Sequence, residues 1–83
     1  MAKMPSVWTY RYGNNTITVK NKRATELYVN DKLCDKVKGL HIKAEMACDL
    51  DTGEKVYVRV FGTTTIECLL TIDNVIQEPV EIS

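Results

Sequence analysis

From Leu40 to Leu50 every even-numbered residue is apolar, namely Leu40, Ile42, Ala44, Met46, Cys48 and Leu50, with His41, Lys43, Glu45, Ala47 and Asp49 standing between them. Successive side chains of an extended strand point to opposite faces, so this spacing describes a strand with one dry side and one wet side. An amphipathic helix needs apolar groups three and four residues apart, and no stretch of this chain sustains that spacing. The period of two recurs along nearly the whole sequence, which predicts an all-β fold.

Turn-forming residues punctuate the pattern at Gly13-Asn14-Asn15, Asn21-Lys22-Arg23, Asn30-Asp31, Lys38-Gly39, Asp51-Thr52-Gly53, Gly62-Thr63-Thr64 and Asp73-Asn74. They divide the chain into about eight strands, near 7–13, 16–21, 25–30, 33–38, 40–50, 54–61, 65–72 and 75–80. A wrong loop length of one residue would oppose core and surface side chains, so candidate hairpins can be tested by register. With Asp51-Thr52-Gly53 as a three-residue loop, Cys48 meets Val56, Met46 meets Val58 and Ala44 meets Val60. The other face then pairs Asp49 with Lys55, Ala47 with Tyr57, Glu45 with Arg59 and Lys43 with Phe61, opposing unlike charges.

A Gly62-Thr63-Thr64 loop pairs Val60 with Ile66, Val58 with Cys68 and Val56 with Leu70, setting Arg59 between Glu45 and Glu67. In the first third, an Asn14-Asn15 turn pairs Tyr12 with Ile17 and Tyr10 with Val19. A Lys22-Arg23-Ala24 loop pairs Val19 with Leu27, Ile17 with Val29 and Lys20 with Glu26. Two three-stranded meanders result, each with one apolar face that only the other can cover. The expectation is a small antiparallel β-sandwich in a single domain spanning 1–83, with a partly open β-barrel as the alternative. Residues 32–39 fit no register with strand 25–30 and are assigned to an edge strand or a crossover between sheets. Pro79 places the last strand at an edge.

Composition narrows the functional classes. Eleven basic and eleven acidic residues cancel, so the chain has no overall positive field to attract nucleic acid or an anionic membrane. No apolar run reaches the length of a bilayer span and MAKMPSVW has no apolar run behind its lysine, which predicts a cytoplasmic protein with no membrane attachment. Cys34, Cys48 and Cys68 are odd in number and form no CxxC pair, so three reduced thiols are expected. Cys48 and Cys68 fall on the core comb, with a strand between them that puts them beyond disulfide reach of each other. Asn14-Asn15-Thr16 fits a glycosylation acceptor, but carries little weight without a secretion signal.

Catalytic constellations are not found. His41, the single histidine, belongs to the outer comb, away from the inward Cys48 and Cys68, and the serines are Ser6 and Ser83. Asp49, Asp51 and Glu54 lack the spacing of a calcium loop and suit a hairpin turn. No catalytic residue, metal or cofactor is assigned. Trp8, Tyr10, Tyr12, Tyr28, Tyr57 and Phe61, with Lys20, Lys22, Arg23 and Arg59, permit an alternative reading as a small single-stranded nucleic-acid-binding β-barrel. Against it, Trp8, Tyr10 and Tyr12 lie on the core comb, and Glu26, Glu45 and Glu67 neutralise the neighbouring charge.

The outer comb of the second meander is partly apolar. Ala47, Tyr57 and Leu69 form a row, with Phe61 at one end and Arg59 held among glutamates. Aromatic and arginine side chains favour interface cores, so Tyr57, Arg59, Phe61, Leu69 and Ala47 are the candidate face for a protein partner or self-association. The expected function is a non-enzymatic interaction or binding module.

ITVKN, ELYVNDKL and CLLTIDNVI, spread over residues 16–77, resemble the sandwich of the Fas apoptotic inhibitory molecule family. The shared elements are an alternating strand, a hydrophobic-Val-Asn turn and a late strand ending in a hydrophobic-Asp-Asn turn. The resemblance implies a compact antiparallel sandwich that acts through protein contacts without catalysis. This chain is one short domain, so neither a cell-death role nor any binding residue is carried over.

Overall fold

A computed structural model describes residues 6–38, 43–62 and 65–83. Its strands are β1 (Val7–Tyr12), β2 (Asn15–Asn21), β3 (Ala24–Val29), β4 (Lys32–Lys38), β5 (Lys43–Asp49), β6 (Lys55–Phe61), β7 (Glu67–Ile72), β8 (Val75–Gln77) and β9 (Glu81–Ile82). They form two antiparallel sheets, ordered β4-β3-β2-β1-β9 and β5-β6-β7-β8, which are not closed into a barrel. The two-sheet sandwich expected from the alternation is therefore the fold, and the barrel alternative is set aside. The strand expected over residues 40–42, the outward position of His41 and the residues Thr63 and Thr64 lie outside the described part.

The β5–β6 hairpin has the expected register at all seven pairs, from Lys43 opposite Phe61 to Asp49 opposite Lys55. Its loop is closed by Gly53 N–H donating to the Leu50 carbonyl at 2.9 Å, with Gly53 at φ 100°. Lys20 faces Glu26 and Val19 faces Leu27 between β2 and β3, also as expected.

Two registers differ from expectation. Between β6 and β7, Val60 faces Cys68, Val58 faces Leu70 and Val56 faces Ile72. Between β1 and β2, Tyr10 faces Ile17 and Trp8 faces Val19. Each pairing is displaced by two residues. A slip of two keeps every side chain on its own face, so apolar alternation cannot distinguish the registers. Loop chemistry decides instead. Gly13, at φ 59°, takes the first central position of the β1–β2 turn, so the two loop residues are Gly13-Asn14. The β6–β7 connection is longer than three residues, because Phe61 faces Glu67.

Residues 32–38 resist register assignment from sequence because β4 carries a bulge. Leu27 faces Asp35 but Tyr28 faces Leu33, which leaves Cys34 as the extra, unpaired residue. β4 is an edge strand, reached from β3 through Asn30 (φ 51°) and Asp31 (φ 67°). Consecutive positive φ values define the tight hairpin turn that Asn and Asp tolerate. The Asn30 side chain steadies this corner: Oδ1 accepts from Thr16 N–H at 2.9 Å and Nδ2 donates to Asn15 Oδ1 at 3.0 Å.

The chain's end divides into two short strands where one was expected. β8 pairs with β7, then Pro79 lies in the crossover, and β9 pairs with β1 in the other sheet. A residue without an N–H costs no ladder bond there. Trp8, Tyr10, Ile17, Val19 and Leu27 from one sheet meet Met46, Val56, Val58, Val60, Leu70 and Ile72 from the other. At one end of this core the buried Thr25 hydroxyl donates to Asn21 Oδ1 at 3.0 Å, satisfying a polar pair that the apolar pattern did not reveal.

Candidate interaction surface

On β5, β6 and β7 the even-numbered side chains turn to the core, so the odd-numbered ones form the outer face. The corrected β6–β7 register rearranges that face. Ala47, Tyr57 and Thr71 form one row, continued by Ile76 on β8. Glu45, Arg59 and Leu69 form the next, and Lys43, Phe61 and Glu67 the third. Leu69 therefore neighbours Arg59 where it was expected to complete the Ala47–Tyr57 row. Arg59 meets one glutamate across the ladder where two were expected, its Nη2 lying 3.5 Å from Glu45 Oε1.

Ala47, Tyr57, Arg59, Phe61 and Leu69 thus do share one side of the molecule. Tyr57 and Ala47 are exposed, while Arg59, Phe61 and Leu69 are half-buried among their neighbours. Arg59 Nε is covered yet has no hydrogen-bond acceptor, so the guanidinium is tied down at one end only. Ile76, at 63% exposure, is a member of this face that sequence reasoning missed. The signal was its apolar character beside the Asp73-Asn74 turn, but its row could not be assigned without the β7–β8 register.

The opposite outer face, on β1–β4, has a different character. Thr9, Arg11, Thr16, Thr18, Lys20, Glu26 and Lys36 alternate with the core residues. Two contacts knit it together: Lys20 Nζ sits 4.8 Å from the Tyr28 ring centroid, and Lys36 Nζ lies 3.8 Å from Glu26 Oε2. Tyr28 also donates to Glu26 Oε1 at 3.2 Å.

The cysteines depart from the expectation of three reduced thiols. Cys34 and Cys48 are joined in a disulfide, with Cα atoms 6.1 Å apart, and Cys68 is free. Only the Cys48–Cys68 distance could be judged from the sequence, and those two indeed stay apart. Cys34 could not be placed, because the bulge hid its strand register. The bridge withdraws one support for a cytoplasmic location, since disulfides persist mainly in oxidising compartments. No helix among the described residues is long and apolar enough to cross a membrane.

Cys68 packs against the core beside the buried Tyr10 hydroxyl, which makes no hydrogen bond of good geometry. Burial raises the Cys68 thiol from about 9.0 to about 11, the adjacent phenol only partly offsetting this. Burial, and after it the neighbouring thiol, also push Tyr10 far above the usual tyrosine range. A thiol held protonated is a poor nucleophile. At pH 8 its alkylation is expected to run about a hundredfold slower than in the unfolded chain, from thiolate population alone. The sign for stability follows. Below pH 9.0 both states keep the proton, whereas between 9.0 and 11 only the unfolded chain loses it, so stability should fall as pH rises through that window. Urea midpoints that stay level from pH 8 to 11 would show the Cys68 site to be wet.

Among the described residues no group of three or more His, Cys, Asp or Glu side chains could hold a metal ion. Asp49 is engaged with Lys55 Nζ at 3.3 Å, and Glu54 accepts from the Thr52 hydroxyl within the hairpin loop. Comparison with protein families, curated proteins and solved structures finds no match to this chain.

Proposed function

We propose that this domain is a non-enzymatic binding module that docks a protein partner, or a second copy of itself, on the outer face of β5–β8. The observation that carries the reading is the asymmetry between the two outer faces. One is a lattice of threonines and charged side chains that also carries Tyr28 and Leu33, and the other sets Tyr57, Phe61, Leu69 and Ile76 around the Arg59–Glu45 pair, with Asp49–Lys55 at one end. An apolar patch with a fixed arginine at its centre matches the composition of interface cores, where Tyr and Arg are enriched. The resemblance to the Fas apoptotic inhibitory molecule sandwich points the same way, to contacts in place of catalysis.

The single-stranded nucleic-acid alternative draws less support. Trp8 and Tyr10 are buried at 3% and 1% exposure, so two of the six aromatic residues cannot stack on bases.

The test is a double substitution, Tyr57→Ser with Leu69→Ser. Sedimentation equilibrium reads self-association, and capture of partners on immobilised protein reads heterologous binding. A loss of about tenfold or more in either affinity is expected, corresponding to roughly 1.4 kcal/mol removed at the centre of an interface. If a folded double variant keeps the oligomeric state and every captured partner of the parent, the face is ordinary surface.

A further inference from the structure

The edge opposite β8 and β9 holds a feature that the proposed binding face does not use. β4 ends one sheet and β5 ends the other, and the Cys34–Cys48 disulfide joins them. Cys34 is the bulge residue, outside the β3–β4 ladder and exposed to solvent. Next to the bridge, Asp35 Oδ2 accepts the Ala47 N–H at 3.0 Å, while Asp35 Oδ1 accepts Lys36 N–H at 2.8 Å. A cleft of about 300 Å3 opens beside the bridge, with Cys34 and Cys48 in its wall alongside Asn30, Lys32, Leu33 and Asp49. Small-molecule sites begin at roughly this size. The most deeply buried residues lie elsewhere: Val58, Leu70, Ile17, Val19 and Leu27 have 0% exposure, whereas Cys48 is only partly buried against the core and Cys34 is exposed.

We propose that Cys34–Cys48 is a reversible redox latch, reduced through the edge cleft by a small dithiol, whose opening frees β4 from β5 while the packed core stays folded. In the first step a thiolate of the dithiol attacks the exposed Cys34 Sγ. A sulfur–sulfur bond forms to the reductant as the Cys34–Cys48 bond breaks, and the electron pair leaves on Cys48 Sγ, which takes a proton from water. The reductant's second thiolate then attacks its own sulfur in the mixed disulfide and expels the Cys34 thiolate, which is protonated in turn. The dithiol departs as a cyclic disulfide, having given up two electrons and two protons.

Opening has a defined structural consequence. The Ala47 N–H points away from β6 towards β4, and residues two positions away on a strand point the same way, so Glu45 and Asp49 also face this edge. With the bridge intact, Asp35 is held against this edge. Without it, β4 keeps its ladder to β3 and the packing of Val37 on the core, the Ala47–Asp35 hydrogen bond loses the covalent tie beside it, and the edge of β5 is freer to pair.

The full chain is treated with dithiothreitol in the absence of denaturant. Alkylation with mass analysis reads the thiols, Cys68 serving as the slow internal control, and amide exchange reads the backbone. Reduction of Cys34 and Cys48 is expected, with exchange at Ala47 faster by about tenfold or more while Val58 and Leu70 keep their protection, as local opening requires. A Cys34→Ser, Cys48→Ser variant should show the same pattern without reductant. The latch is overturned if the bridge resists reduction until denaturant is added, if Ala47 exchange is unchanged on reduction, or if Val58 and Leu70 are exposed along with it. A double variant that does not fold overturns it as well, since the bridge would then be a staple for the whole domain.

Discussion

Val58→Asp is expected to abolish the cooperative unfolding transition, whereas Tyr57→Ser, one residue earlier, should shift stability by no more than about 1 kcal/mol. The two positions are adjacent in sequence and opposite in environment. Val58 is buried at 0% exposure, between Met46 on β5 and Leu70 on β7, and Tyr57 is exposed at 38%. A carboxylate at position 58 would lose its hydration with no partner supplied by valine and methionine neighbours. Even if it protonates to avoid the full charging cost, an unsatisfied polar group plus the lost packing amounts to several kcal/mol. A domain of this size has roughly 5–15 kcal/mol in total. Thermal melts followed by near-ultraviolet circular dichroism measure both variants. A Val58→Asp protein that melts cooperatively near the parent's midpoint would mean that the two combs are assigned to the wrong faces.

Gly62→Ala should be the costliest substitution among the described glycines, at about 3 kcal/mol or more. Gly62 has φ 144°, and a Cβ built there would lie 1.9 Å from the Thr65 carbonyl oxygen and 2.9 Å from its carbon. Both are backbone atoms, so no side-chain rotation relieves the clash. The segment that must move leads into β7, whose Cys68 and Leu70 are aligned against Val60 and Val58. Gly13→Ala and Gly53→Ala are the controls. They also have positive φ, 59° and 100°, but a Cβ at either meets nothing within 4 Å. Their expected cost is the left-handed backbone penalty alone, about 1–2 kcal/mol. Urea midpoints for the three variants decide the matter, and equal losses would show that Gly62 is needed only for its φ.

The candidate face was partly legible and partly not. Ala47, Tyr57, Arg59, Phe61 and Leu69 were placed on one side by parity alone, and they are there. Their neighbours were not, because the β6–β7 loop exceeds three residues and shifts Leu69 from the Tyr57 row to the Arg59 row. The β5–β6 hairpin escaped this error because Gly53 at the end of Asp51-Thr52-Gly53 specifies loop length as well as loop position. Ile76 joined the face only once the β7–β8 pairing was known.

By itself the sequence determined what short-range sterics can dictate: extended backbone, the face each side chain takes, and the tight turns where Gly or Asn accepts positive φ. Tertiary structure alone decided which of two parity-equivalent registers is used, that Cys34 bulges out of its ladder to meet Cys48, and that the chain's end crosses from β7's side to pair with β1. The division has one cause. Alternation is a property of neighbouring residues, whereas registers two apart bury the same faces and are separated only by how loops close and how distant edges meet.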